Sequence, residues 1–198
     1  MTLDRFYLIT PTADLIERLV PRGVRLVQLR AKDMPAADLR AHALRAQAIC
    51  RQHGAQLILN DYWQLALDLG LEFIHLGQED MDSADFAALA RAGIRFGLST
   101  HDEAERERAL SHDPAYIALG PVYPTLLKQM PWAPQGLERL TAWKAAIGTR
   151  PLVAIGGLTP ERLPGVFAAG ADSAAVVTDI VTAKDPEARC DLWLRATR

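Results

Sequence analysis

The chain has 198 residues, 49% of them hydrophobic and 23% charged, with a formal net charge of −2. At roughly 100–200 residues per domain this length favours a single domain spanning residues 1–198, and the composition excludes intrinsic disorder and fibrous repeats. Because 22 basic residues face 24 acidic ones, there is no broad cationic field, and neither nucleic acid nor a membrane surface is an expected partner. The longest uncharged run, Pro114 to Leu127, is broken by prolines and falls short of the ~18–20 apolar residues that span a bilayer. The N-terminus carries Asp4 and no extended apolar run, so it does not read as a secretory signal. Cys50 and Cys190 both fall in helix-like stretches and no Cys-x-x-Cys pair occurs; zinc ribbons and disulfide scaffolds are excluded, and a reducing cytoplasm is the expected compartment.

Short apolar runs alternate with helical patterns along the chain. The runs are Phe6–Ile9, Val24–Leu29, Leu57–Leu59, Phe73–His75, Phe96–Leu98, Tyr116–Leu119, Leu152–Ile155 and Ala174–Val177, eight candidate strands. Between them, Ala36 to Arg51 places Leu39, Ala43, Ala46 and Cys50 on one helical face. Tyr62 to Leu69 reads as a further helix. Asp102 to Leu110 begins with acids, as the helix dipole prefers, and Thr159-Pro160 reads as a cap followed by proline at the first helical position. Alternating β and α elements imply a parallel sheet covered by helices, and eight repeats suggest closure into a (β/α)8 TIM barrel. A doubly wound open sheet is the alternative, but neither G-x-G-x-x-G nor G-x-x-x-x-G-K-[ST] occurs.

In such a barrel the chemistry sits on the loops that follow the strands. After the second run come Gln28, Arg30 and Lys32; alternation puts Gln28 and Arg30 on one side, an amide and two cations suited to clamping an anion and a heterocycle. Asn60-Asp61 follow the third run, where Asp61 with Gln64 also fits a helix capping box. His75 reads as a packed barrel histidine, and Asp80 beyond it reads as a loop charge or, with Asp61, as half of a site for a hard divalent cation. The long loop after the sixth run ends in Lys128, placed to close over a bound anion. Gly156-Gly157 after the seventh run and Val177-Thr178 after the eighth occupy the two loops where barrels often bind phosphate.

Together the segments VQLRAKD (27–33), LILNDYWQLAL (57–67), FIHLGQED (73–80), FGLSTH (96–101), ALGPVYPT (118–125) with Lys128, VAIGGL (153–158) and GADSAAVV (170–177) resemble the thiamine-phosphate synthase (thiamine-phosphate pyrophosphorylase) family over nearly the whole chain. The resemblance implies a (β/α)8 barrel that joins 4-amino-2-methyl-5-hydroxymethylpyrimidine diphosphate to a thiazole phosphate, releasing pyrophosphate by a dissociative transfer through a pyrimidine carbocation. It also implies that Gln28, Arg30, Lys32, Asn60, Ser99 and Lys128 hold the pyrimidine diphosphate, with Arg30, Lys32, Ser99 and Lys128 as the catalytic set. Asp61 and Asp80 would bind Mg2+, and Gly157, Val177, Thr178, Thr125 and Leu127 would hold the thiazole phosphate.

Cations and a metal fit that chemistry, because negative charge builds on the diphosphate as the C–O bond breaks. No nucleophilic side chain is then needed, in keeping with the lack of a Ser-His-Asp or Cys-His constellation. The family loop commonly reads Pro-Thr-x-Thr-Lys, whereas here Leu127 stands where the second hydroxyl would be, leaving only its backbone N–H to donate, and the segment from Gln129 to Gly136 also departs from the pattern. Two alternatives share the barrel: a thiazole tautomerase-like isomerase and a non-catalytic binder of thiazole or thiamine phosphate. Oligomeric state is left open, a homo-oligomer included.

Overall fold

Eight parallel strands, each hydrogen-bonded to the next and the last to the first, close into a barrel. The computed structural model describes residues 3–32, 34–125 and 133–198. The strands are β1 (Phe6–Thr10), β2 (Leu26–Leu29), β3 (Gln56–Asn60), β4 (Phe73–Leu76), β5 (Arg95–Thr100), β6 (Tyr116–Leu119), β7 (Leu152–Ile155) and β8 (Ser173–Val176). Helices α1 (Ala13–Leu19), α2 (Ala36–His53) and α3 (Trp63–Leu69) follow the first three strands. β4 leads into α4 (Asp80–Ser83) and α5 (Phe86–Arg91), β5 into α6 (Glu103–Ser111), and β6 into α7 (Gly136–Ile147). β7 leads into α8 (Leu163–Ala168), and β8 into α9 (Thr178–Val181) and α10 (Pro186–Ala196). This is the (β/α)8 barrel that the alternating pattern implies.

The strands are apolar runs rather than alternating ones because both faces are covered. Phe6, Leu8, Val27, Leu59, Ile74 and Ile117 pack outward under the helices, while Tyr7, Leu26, Ile58, Phe73, Tyr116 and Val153 fill the interior. That period of two carries Gln28, Asn60 and His75 to buried positions near the strand ends.

The helices form where the apolar spacing and their ends agree. Leu39, Ala43, Ala46 and Cys50 form the buried face of α2, which runs to His53 and stops at left-handed Gly54 (φ 64°). Asp102 caps α6, its Oδ1 accepting the Glu105 N–H at 2.9 Å, a contact worth about 1 kcal/mol. Thr159 is extended but makes no side-chain cap; a 3-10 turn over Pro160–Arg162 intervenes before α8. The second strand starts at Leu26 rather than Val24, because its ladder with β1 begins opposite Tyr7. The eighth ends at Val176, since Val177 (φ −122°, ψ −80°) already turns away. Among the described residues no helix is long and apolar enough to cross a membrane.

Candidate active site

The C-terminal ends of β2, β3 and β4 bring the first group of expected residues together. Arg30 continues the β2 edge, its N–H bonded to the Thr10 carbonyl at 2.9 Å. Lys32 Nζ lies 3.5 Å from Asp61 Oδ2, with the lysine half exposed and the acid 17% exposed. Asp61 is no helix cap: Tyr62 occupies that position, and Asp61 itself has a left-handed backbone (φ 65°). Its carbonyl takes the Trp63 N–H at 2.8 Å, while its carboxylate faces Lys32 and Asp80. A non-glycine residue held at positive φ is strained, and such strain persists where the surroundings enforce it.

Burial, then the Asp80 carboxylate beside it, pushes the Asp61 carboxyl up to about 6, against the pull of Lys32 and Arg30. Asp80 arrives on α4 and accepts the Gly77 N–H at 3.1 Å. Two facing carboxylates with hard oxygen donors suit a small divalent cation. Among the described residues no cluster of three acids, histidines or cysteines offers a complete metal cage. A cation held by only two carboxylates would fill the rest of its shell with water and phosphate oxygens. Beside it the Asn60 side-chain nitrogen is buried without a hydrogen-bond partner, a donor that an acceptor on a ligand would satisfy.

Ser99 lies on β5, opposite Ala118 in register, with its oxygen 2.8 Å from His75 Nε2. His75 is the packed barrel histidine its position suggests, but it does more than pack. Its Nδ1 is 2.8 Å from Tyr116 Oη, which is 3.0 Å from Tyr7 Oη. Gln28 Nε2 donates to Tyr7 Oη at 2.7 Å. Burial, followed by the nearby Arg30 charge, holds the His75 imidazole down to about 4, and burial raises both tyrosine hydroxyls. Gln78 also reaches the site, donating to the Ser99 carbonyl at 2.6 Å. Tyr7, Tyr116 and Gln78 were not among the residues the sequence singled out. The available signal was register: Tyr7 shares the inward parity of Ile9, which pairs with Gln28.

On the opposite arc the loops after β6 and β7 are stitched together. Val122 N–H bonds the Ile155 carbonyl at 2.9 Å and Tyr123 N–H the Gly156 carbonyl at 3.0 Å. Gly156 (φ 97°) and Gly157 (φ 64°) both need the left-handed backbone. A methyl on Gly156 would meet Pro121 Cα at 2.6 Å, and one on Gly157 the Pro124 carbonyl at 2.5 Å. Val177 and Thr178 stand at the turn from β8 into α9, and Thr125 ends the described part of the β6 loop. Leu127 and Lys128 lie outside the described residues. A basic hollow lined by Arg5, Arg25 and Arg198 opens elsewhere and shares no residue with this site.

A closed parallel barrel with paired acids, cations and glycine turns at its strand ends defines a (β/α)8 enzyme equipped to handle phosphorylated ligands. The model of the thiamine monophosphate synthase family matches residues 6–180. A thiamine-phosphate synthase of Rhizobium etli is 61% identical over 197 residues, covering 100% of this chain and 97% of its own. One from Neisseria meningitidis serogroup A is 47% identical over 184 residues, covering 93% and 90%. The fold is shared with a solved thiamine phosphate pyrophosphorylase from Pyrococcus furiosus, at a TM-score of 0.86, 23% identity, and coverage of 98% and 95%. The chain belongs to the thiamine monophosphate synthase family, and is a transferase of thiamine biosynthesis.

Proposed function

We propose that this chain, as one barrel unit, joins 4-amino-2-methyl-5-hydroxymethylpyrimidine diphosphate to a thiazole phosphate, forming thiamine phosphate and pyrophosphate. The observation that carries this reading is the Asp61–Asp80 pair with Lys32 and Arg30 beside it. The bond between the pyrimidine methylene carbon and the diphosphate oxygen breaks, its electron pair leaving with the diphosphate. The thiazole nitrogen then supplies the pair that forms the new C–N bond. Arg30 and Lys32, joined by Lys128, stabilise the negative charge that grows on the leaving group, more strongly in the transition state than in the ground state. Asp61 and Asp80 would hold Mg2+, which when bound adds positive charge next to the diphosphate.

The remaining residues bind and orient. Gln28, Asn60 and Ser99 hold the pyrimidine, the unpartnered Asn60 amide being satisfied by substrate. Gly157, Val177, Thr178, Thr125 and the Leu127 backbone hold the thiazole phosphate. A thiazole isomerase on the same barrel would have no diphosphate to hold and would leave the acid pair without a task. The two cysteines are free and buried, which suits the reducing cytoplasm where we place the enzyme. Purified protein given both substrates and Mg2+ should release pyrophosphate and thiamine phosphate in equal amounts. Absence of product across the whole range of Mg2+ concentrations would overturn the proposal.

A further inference from the structure

Five side chains from five strands form one hydrogen-bonded line through the barrel: Gln28, Tyr7, Tyr116, His75 and Ser99. The successive separations are 2.7, 3.0, 2.8 and 2.8 Å. Tyr7 and Tyr116 are fully buried, and Gln28 and His75 nearly so. No carboxylate takes part in the line, so its imidazole is neutral and carries one N–H. Each tyrosine also has one proton. Three interior groups thus supply three protons for four bonds, and the fourth must come from one end.

Only two arrangements place one proton in each of the four bonds. In one, every proton points from Gln28 toward Ser99. In the other, every proton points back. If both ends donated, a proton in the barrel's core would be unmet, at the full desolvation cost of a buried donor. The structure sets Gln28 Nε2 against Tyr7, which selects the first arrangement. Tyr7 then donates to Tyr116, Tyr116 to His75 Nδ1, and His75 Nε2–H to Ser99 Oγ. The Gln28 carbonyl oxygen remains as an acceptor at one end, and the Ser99 hydroxyl proton as a donor at the other.

We infer that Tyr7, Tyr116 and His75 are positioning residues that fix the hydrogen-bond polarity of the pyrimidine site, making it selective for a 4-aminopyrimidine over its 4-oxo counterpart. This rests on the function proposed above. An aminopyrimidine offers N–H donors on its amino group and acceptors on its ring nitrogens, so it meets an acceptor and a donor together. The 4-oxo form carries a carbonyl at C4 and an N–H on the adjacent ring nitrogen, reversing both. To accept it the whole line would have to reverse, with Gln28 turning its amide and His75 changing tautomer. Gly97 belongs to the same device: a methyl there would overlap the Tyr116 ring, so the glycine gives the tyrosine the room to join the line.

The test uses Tyr116→Phe, which cuts the line while keeping the ring. In the substrate-free wild type, imidazole 15N shifts should show the His75 proton on Nε2, and in Tyr116→Phe the two tautomers should mix. The preference for the 4-amino over the 4-oxo pyrimidine diphosphate in kcat/KM should fall roughly tenfold or more, with the KM for thiazole phosphate unchanged. Tyr7→Phe removes another hydroxyl from the line and should lower the same preference, which keeps the test available if Tyr116→Phe does not fold. A wild-type proton on Nδ1 overturns the inference. So does a preference that both variants leave intact, since a purely structural role would reduce turnover of the two pyrimidines alike. The tautomer measurement needs no substrate, so it stands apart from any failure of the proposed reaction.

Discussion

Asp61 sets local stability against the metal-binding role proposed for it. Its backbone is left-handed, and its carboxyl, pushed up to about 6 by burial and by Asp80, resists the charge that a cation site requires. Replacing it by Asn keeps the shape and removes that charge. Asp61→Asn should therefore raise the Tm of the metal-free protein by about 2–4 °C, the equivalent of roughly 1 kcal/mol in a chain of this size. Under the proposed function the same change, and Asp80→Asn with it, should lower turnover on the order of 100-fold and raise the Mg2+ needed for half-maximal rate. Thermal melts and Mg2+ titrations of the two variants separate these effects. Full activity in both would show that the acids are no more than loop charges. The acids themselves are readable as polar residues after apolar runs, whereas Asp61's conformation is not: Asp-x-x-Gln is also how a helix start is written. Only the fold decides between them, by turning this carboxylate toward Lys32 and Asp80.

The elements were the most legible feature of the chain, because buried parallel strands are nearly continuous apolar runs and each is separated from the next by helical spacing. Boundaries shifted where a polar residue completes a ladder: Asn60 pairs with His75 and so belongs to β3, and Ser99 pairs with Ala118 inside β5. The line of hydrogen bonds was not legible, since an inward tyrosine in an apolar run looks like core and its partners lie on other strands. Contacts between loops are hidden in the same way. Gly157 reads as a phosphate-binding glycine, yet the fold also uses it to seat the β7 loop against Tyr123 and Pro124. Gly157→Ala would combine a strained φ with a clash at the Pro124 carbonyl. It should destabilise the protein by about 1–3 kcal/mol, measured by urea unfolding. On the proposed assignment it should also raise the KM for thiazole phosphate while sparing that for the pyrimidine diphosphate, since the pyrimidine residues lie on the other arc.

At the scale of the whole molecule, the buried His75 and the partly buried Asp61 have opposite tendencies that set how stability responds to mild acid. His75 is held down to about 4 in the fold and titrates near 6.5 when unfolded. Between those values the unfolded chain binds the extra proton, so the stabilisation present above pH 6.5 is lost as pH falls toward 4. Asp61 does the reverse. Its carboxyl at about 6 in the fold lies above the ~3.9 of an unfolded aspartate, so the folded state takes up the proton first and gains as pH falls from 6 toward 3.9. Exposed acids such as Asp14, held down by Arg45, are displaced below their ordinary range and respond at lower pH still. Between pH 7 and pH 5 the His75 loss comes to about 2 kcal/mol and the Asp61 gain to about 1 kcal/mol. The metal-free wild type should then lose less than about 1 kcal/mol over that interval, whereas Asp61→Asn should lose about 2 kcal/mol. Urea unfolding at the two pH values in the presence of a chelator measures both. Equal acid sensitivity in the two proteins would mean that Asp61 and His75 do not oppose each other across the barrel mouth.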